Sequence, residues 1–282
     1  MTTFQKYLSN FFTYLLFFLM KKLLFSAILI LITIFTISYP SFAAPTAKTR
    51  NYFEIKVYHF SNNQQEKTID SFLQNQYIPV IHSSGLNNIG IFKPIANDTA
   101  SDKKIYVFTP YKSLKQWESV HQETLEKFEN STISTYANAI NTNPAFVRME
   151  TIFLKAFENM PFSAVPKLTG PKAERVYEMR SYEGAGEKLF RNKVDMFNKG
   201  GEVGIFNRLG FNAVFYAEVL FGARMPNLMY MTSFENMQSR DEHWKAFSAD
   251  PQWKTLSAQP GYKNNIAHID ITYLRSTDYS DL

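Results

Sequence analysis

Two pairs of side chains near the C-terminal half of the chain have the chemistry of a proton-transfer site. His268 and Asp270 are two residues apart in a segment of alternating polarity. Glu178, Arg180 and Tyr182 likewise follow one another at intervals of two residues. Residues two apart in a strand share a face, so each set is presented together. Imidazole titrates near neutrality and could act as a general base. The catalytic candidates are therefore His268 with Asp270, or Glu178 with Tyr182.

Further polar side chains occupy the same alternate positions of other predicted strands. They combine carboxylates, basic groups and a phenol, and we predict them to be ligand-binding: Glu54, Lys56, Tyr58, Arg148, Glu150 and Arg180. Such groups converging on a partly enclosed space are typical of a small-molecule site. The alternative is a cross-strand ladder of charge pairs that needs no ligand.

Composition excludes several other chemistries. The chain has 282 residues and no cysteine, so thiolate metal sites, disulfides and cysteine nucleophiles are absent. Its five histidines lack metal-binding spacings, and no nucleophile elbow or phosphate loop occurs. Without residues 1–43 the formal net charge falls from +5 to +2, which gives no case for nucleic acid. We predict no metal and no cofactor, with haem binding left open.

An internal repeat organises these residues. Phe53 to Tyr58 corresponds to Tyr177 to Tyr182, and further blocks around Gly85 and Gly210 keep offsets of 120 to 125 residues. A repeat of this length is the size of a small domain, so the chain is a tandem duplication.

Each repeat predicts the element order β-α-β-β-α-β, a ferredoxin-like module. The predicted organisation is a first module over 50–158, a proline-rich linker over 159–174, a second module over 175–275 and a tail over 276–282. The fold class is α+β, with the two modules packed sheet to sheet as an internal dimeric α/β barrel. From this alternation we predict that five apolar side chains face the helices: Phe53, Ile55, Val57, Tyr177 and Met179. The polar residues then face the space between the sheets.

The N-terminus carries a predicted signal peptide over residues 1–43. Lys21 and Lys22 precede an apolar run from Leu23 to Ile37, and small residues lead to a cleavage point after Ala43. Met20 is the predicted start, and an uncleaved anchor is the alternative, although the run is short for a membrane span. We expect the folded part to be exported to the periplasm or the medium, without stable membrane insertion once the signal is cleaved.

The second module resembles the NIPSNAP family, whose domains open with Tyr-Glu-Leu-Arg-x-Tyr and end near Asp-Pro-x-Trp. This sequence has Tyr177 to Tyr182, the segment Arg240 to Trp244, and Asp250 to Trp253. Residues 50–155 share the opening strand but lack Asp-Pro-x-Trp, so the resemblance is weaker there. It implies the dimeric α/β-barrel fold of small monooxygenases and implies little chemistry.

Three hypotheses of function remain open at this stage. The first is an exported small-ligand-binding or scaffold barrel, and the second is a cofactor-independent or haem-using monooxygenase or isomerase. The third is a module that binds partners through exposed aromatic residues. A homo-oligomer is also left open. A cavity lined by the named polar residues favours ligand binding or chemistry, whereas a filled interior favours a scaffold.

Overall fold

The computed structural model describes residues 3–37, 49–131 and 134–282, which form two separate units, an N-terminal helix and a barrel. Helix α1 is Thr3–Ile37. Its segment Asn10–Leu29 is the one described stretch long and apolar enough to cross a membrane, and signal sequences share that pattern. The predicted cleavage motif ending at Ala43 lies outside the described residues.

The first module follows the predicted order. Its elements are β1 Tyr52–Phe60, α2 Asn63–Phe72, a π-helical segment Leu73–Tyr77, α3 Ile78–Ser83, β2 Gly90–Pro94, β3 Lys103–Tyr111, α4 Leu114–Glu129 and β4 Arg148–Ala156. Ser113 caps α4, because its side chain accepts a hydrogen bond from the Gln116 amide. Gly85 ends the first helical region with φ near 77°, a conformation that favours glycine.

The second module repeats this order after the segment 159–174, in which one 3₁₀ turn covers Lys172–Glu174. Its elements are β5 Val176–Glu183, α5 Glu187–Asn198, α6 Glu202–Arg208, β6 Asn212–Phe221, β7 Asn227–Phe234, α7 Met237–Ala249, α8 Pro251–Ala258 and β8 His268–Ser276. As the sequence suggests, Asp250 caps α8 by accepting from the Trp253 amide, with Pro251 in the first turn.

The eight strands close into one antiparallel barrel in the order β1-β3-β2-β8-β5-β7-β6-β4. Each module contributes four adjacent strands, and the modules join where β2 pairs with β8 and where β4 pairs with β6. The predicted fold, two ferredoxin-like modules forming an internal α/β barrel, is therefore confirmed. Closure removes the sheet edges that isolated modules would leave unpaired.

The predicted orientation of the strand faces is wrong. Phe53, Ile55, Val57, Tyr177 and Met179 belong to one buried cluster that combines residues of both modules, so they point into the barrel rather than towards the helices. The helices instead pack on two other clusters, one per module, that contain Tyr58 and Tyr182 respectively. Both faces of these strands are buried, so alternation separates the two faces without indicating which one meets the helices.

Rings fill much of the barrel interior. Phe53, Phe108 and Phe215 lie with ring centroids 5.1 to 5.4 Å apart, and Phe92 packs against Tyr177 at 4.8 Å. The segment after β8 adds Leu282, which is buried in the same cluster. Aromatic contacts at these distances are characteristic of a packed core, so this part of the interior is architectural.

Candidate functional site

Glu178 is the centre of a charge network on the outer face of the barrel, beneath α7. Its carboxylate is fully buried and accepts from Trp244 Nε1 at 2.8 Å, from Arg240 Nε at 2.6 Å and from Arg180 Nε at 2.5 Å. The Arg180 guanidinium also lies 3.7 Å from the Trp244 ring centroid. The network thus ties the opening strand of the module to α7 by charge-assisted hydrogen bonds.

The network continues into phenols. Arg180 donates to the Tyr182 hydroxyl at 3.1 Å, and the hydroxyls of Tyr182 and Tyr230 are 2.8 Å apart. Burial raises the pKa of Tyr230, and the hydrogen bond with Tyr182 raises it further. Burial opposes the charge of Arg180, but the neighbouring Tyr230, Tyr182 and Glu178 outweigh it and raise the pKa of that guanidinium. The two phenols therefore serve as hydrogen-bonding groups in this network.

The first module contains a looser copy of this network. Glu54 accepts from Trp117 Nε1 at 3.3 Å and from the Tyr111 hydroxyl at 3.1 Å, and Lys56 Nζ lies 3.8 Å from the carboxylate. Tyr58 accepts from the Tyr136 hydroxyl at 3.2 Å. Because a buried glutamate meets a helix tryptophan in both modules, we interpret the pair as part of the architecture.

Six of the predicted site residues lie elsewhere than predicted. They lie between the sheet and the helices and not in the gap between the sheets: Glu54, Lys56, Tyr58, Glu178, Arg180 and Tyr182. The physical reason is the reversed strand orientation. Their polar groups are satisfied by tryptophan, tyrosine and arginine side chains that the sequence pattern alone does not align with them. The ladder alternative describes these residues better than a ligand site does.

A buried ion pair beneath the helices of the second module has no sequence signature. Lys193 of α5 donates to Glu202 of α6 at 2.8 Å, and the two side chains are 5% and 3% exposed. The ammonium also lies 4.7 Å from the Phe197 ring centroid. Burial raises the pKa of Glu202, and Lys193 opposes that rise by attraction.

A cavity of about 350 Å³ opens at one end of the barrel, which we call the mouth. Its floor is apolar: Val57, Tyr106, Ile152, Met179 and Met229. Its rim is charged: His59, Asp102, Lys104, Arg148, Glu150, Arg224 and Asp270. Both modules contribute to the floor and to the rim. Apolar walls combined with polar groups that converge on one space are a common form of small-molecule site.

His59 is a buried polar residue of the mouth, with 3% of its side chain exposed. Its Nδ1 lies 2.6 Å from Asp102 Oδ1. Its Nε2 lies 3.3 Å from Glu150 Oε1, but the alignment is not that of a hydrogen bond, and among the described residues this nitrogen has no hydrogen-bond partner. Burial acts to raise the pKa of Asp102, yet the contacts with His59 and Lys104 outweigh it and lower that pKa.

The second module contributes the corresponding residues with different charges. His59 pairs across strands with Arg148, and at the equivalent place Glu183 pairs with His268. His268 Nε2 lies 3.1 Å from Asp270 Oδ1, with the imidazole 57% exposed. The predicted dyad therefore exists as a contact, but at the open rim, where solvent screens it.

Arg224, which the sequence analysis missed, lies between the two acids of this side. It reaches Glu183 at 3.2 Å and forms an ion pair with Asp270. Ligand atoms of Glu183, His268 and Asp270 lie within 4.8 Å of one another, a separation suited to a metal ion. The guanidinium of Arg224 already supplies the cation that these carboxylates attract, so the arrangement favours an ion-pair cluster over a metal site.

The structure thus brings three of the predicted residues together at the mouth, Arg148, Glu150 and Asp270, and places a fourth, His268, beside Asp270. It adds His59, Asp102, Lys104 and Arg224. His59 continues the alternation of Val57 and would have been found with the correct strand orientation. Arg224 lies in the β6–β7 connection with φ near 66°, and no strand periodicity reaches it.

The fold and the two-module mouth define a single-chain α/β barrel of the dimeric α/β-barrel type. Residues 177–281, which include most of the second module, match the NIPSNAP family model. No curated protein sequence matches the chain.

Solved structures agree on the fold. A “putative monooxygenase” from Lactobacillus acidophilus NCFM is 12% identical, with a TM-score of 0.52, covering 80% of this chain and 94% of its own. A “putative monooxygenase” from Fusobacterium nucleatum subsp. nucleatum is 8% identical, with a TM-score of 0.55, covering 82% and 94%. A NIPSNAP family protein from Agrobacterium tumefaciens is 22% identical, with a TM-score of 0.34, covering 39% of this chain and 99% of its own. The two structures with TM-scores above 0.5 share the fold of this chain, and identities this low do not establish a shared reaction.

Proposed function

We propose that this protein binds a small molecule in the mouth of its barrel, with the rest of the NIPSNAP-type barrel acting as a rigid scaffold. The observation that carries the proposal is the cavity of about 350 Å³, which residues of both modules line. Its volume is at the lower end of ligand pockets, which are typically about 300–1,000 Å³. The buried His59, whose Nε2 has no hydrogen-bond partner among the described residues, supports a ligand in this cavity, since buried polar atoms usually have such partners.

The contrast between mouth and interior supports this placement. The stacked rings of Phe53, Phe108 and Phe215 occupy the interior, and the glutamate networks are engaged with tryptophans and arginines. The mouth combines an apolar floor with charged rim groups that solvent reaches. Rigid scaffolds commonly carry their binding groups in this way, at the ends of strands and in the adjoining loops.

A cofactor-independent oxygenase or isomerase acting in the same mouth is the second candidate. The contact of 2.6 Å between His59 and Asp102 favours it, because a carboxylate that orients an imidazole is a recurrent arrangement for a general base. The likeness to two proteins described as monooxygenases adds fold analogy only.

The decisive experiment is native mass spectrometry of the protein purified from its own host, with a variant that blocks the mouth. Ala223→Trp places an indole at an exposed position of the cavity lining. We expect wild type to carry a small molecule and Ala223→Trp to lose it. Ala173→Trp, at an exposed position outside the lining, is the matched control and should retain it.

The outcomes separate the hypotheses. Equal occupancy in wild type and Ala223→Trp would contradict binding in the mouth. A molecule that is released unchanged after incubation with the protein favours a binding protein, whereas its conversion favours the enzyme.

We also propose export of the barrel, supported by the apolar helix α1 and the basic residues Lys21 and Lys22. Cell fractionation with intact-mass analysis tests it. The expected product begins at Ala44 and is found outside the cytoplasm. A cytoplasmic product that retains residues before Ala43 would contradict the proposal.

A further inference from the structure

The charges around the mouth are already paired with one another. Lys104 lies 3.1 Å from Asp102, and Arg148 forms an ion pair with Glu150. On the other side Arg224 contacts both Glu183 and Asp270. His59 lies between Asp102 and Glu150, with ring nitrogens 2.6 and 3.3 Å from their carboxylate oxygens. The rim therefore offers both signs of charge in a nearly neutral ring.

A neutral ring of ion pairs discriminates between classes of ligand. A ligand with one charge that displaces the partner of a rim residue leaves that partner without its ion pair. A ligand with both charges can insert into a pair, with its anionic group on the arginine and its cationic group on the carboxylate. Insertion replaces each charge-assisted hydrogen bond that it breaks.

The geometry points to a small zwitterion with an apolar side group, of the α-amino-acid type, as the ligand of the mouth; this rests on the proposed function. Arg148 and Arg224, each with 54% of the side chain exposed and one from each module, are the groups available for the carboxylate. A guanidinium binds a carboxylate through two parallel hydrogen bonds.

The other parts of the ligand have matching surfaces. Glu150 and Asp270, which are 33% and 43% exposed, accept hydrogen bonds from the ammonium group. The apolar side group covers the floor formed by Val57, Met179 and Met229. Burying that group removes apolar area from water, which favours binding.

Three probes that share a phenylethyl skeleton test the class of ligand by isothermal titration calorimetry. They are L-phenylalanine, 3-phenylpropionate, which lacks the ammonium, and 2-phenylethylamine, which lacks the carboxylate. We expect L-phenylalanine to bind at least about tenfold more tightly than either analogue. An analogue that binds as tightly as L-phenylalanine would overturn the zwitterion.

Two variants test the assignment of charges. Arg224→Gln removes the cation that pairs with Glu183 and Asp270. It should weaken the binding of L-phenylalanine about tenfold and shift the binding preference towards 2-phenylethylamine. Asp270→Asn releases Arg224 and should shift the preference towards 3-phenylpropionate. Arg191→Gln removes an exposed arginine that pairs with Glu218 outside the mouth and should leave all three affinities unchanged. If neither preference shifts, the assignment is wrong.

Failure of this inference is distinguishable from failure of the proposed function. If none of the probes binds while the host-purified protein carries a molecule that Ala223→Trp loses, the mouth binds another class of ligand. Retention of L-phenylalanine affinity by Ala223→Trp would place its binding elsewhere. Absence of both probe binding and a carried molecule would overturn the two proposals together.

Discussion

Lys193→Met is expected to lower the free energy of unfolding by about 3–5 kcal/mol, because it leaves the buried carboxylate of Glu202 without its partner. The two side chains are almost completely excluded from solvent and lie 2.8 Å apart between α5 and α6. Urea denaturation, monitored by circular dichroism, measures the difference in unfolding free energy between variant and wild type, provided that both have the same slope of free energy against urea concentration.

The double variant Lys193→Met with Glu202→Leu should recover most of this loss. Apolar residues of similar volume need no desolvation of charge, so replacing a whole buried pair is often neutral or stabilising. The matched control is Lys199→Met in the same region, where the pair with Asp195 is 74% and 49% exposed. An exposed pair of this kind contributes about 0–1 kcal/mol.

The pH dependence gives an independent check of the mechanism. Burial raises the folded-state pKa of Glu202 above its ordinary value, and loss of Lys193 removes the opposing attraction. Between the unfolded and folded pKa values the native state binds the extra proton, so its stability falls as pH rises through that window. The deficit of Lys193→Met should therefore be smaller at about pH 5 than at about pH 8. A deficit that is the same at both would indicate lost packing rather than a stranded charge.

Much of the fold could be predicted because the relevant signals are local and repeated. Period-two alternation identifies the strands, and the correspondence of Phe53 to Tyr58 with Tyr177 to Tyr182 identifies the duplication. The caps at Ser113 and Asp250 follow from short-range hydrogen bonding between a side chain and a nearby amide. Two homologous sheets then have few ways to bury their second faces, and a closed barrel is one of them.

The orientation of the faces could not be predicted from the same signals. Seven of the nine residues of β1 are buried, including polar Glu54 and His59. A polar residue is usually expected to mark the less buried face, but Glu54 is buried because Trp117 and Tyr111 come from distant positions to meet it. Partners of this kind are set by tertiary packing, which alternation does not encode.

Only some residues of the mouth could be predicted from the sequence, for a related reason. Arg148, Glu150, His268 and Asp270 lie near the starts of the closing strands, so their common location follows from topology. Arg224 depends instead on the conformation of a loop with a positive φ. Loop geometry of this kind is where strain and function often coincide, and strand periodicity does not report it.

Glu178→Gln is expected to destabilise the protein by about 3–5 kcal/mol, since it removes the negative charge that Arg180 and Arg240 share. Both guanidiniums donate to this carboxylate, and Arg180 is only 12% exposed. Glu54→Gln in the first module is the matched comparison and should cost less, about 1–3 kcal/mol. Its donors Trp117 and Tyr111 are neutral, and its cation Lys56 lies farther away at 3.8 Å.

Equilibrium unfolding measures the stability of both variants, and the tryptophan emission of the folded state reports on the surroundings of the three tryptophans, which include the partly buried Trp244. The same preparation separates architecture from binding. If Glu178 acts only by tying β5 to α7, the folded Glu178→Gln variant should bind the mouth ligand with unchanged affinity, because the carboxylate lies on the opposite face of the sheet from the cavity. If the variant is well folded but loses the ligand, the two faces of β5 are coupled. Binding in the mouth then depends on the glutamate network beneath the helices.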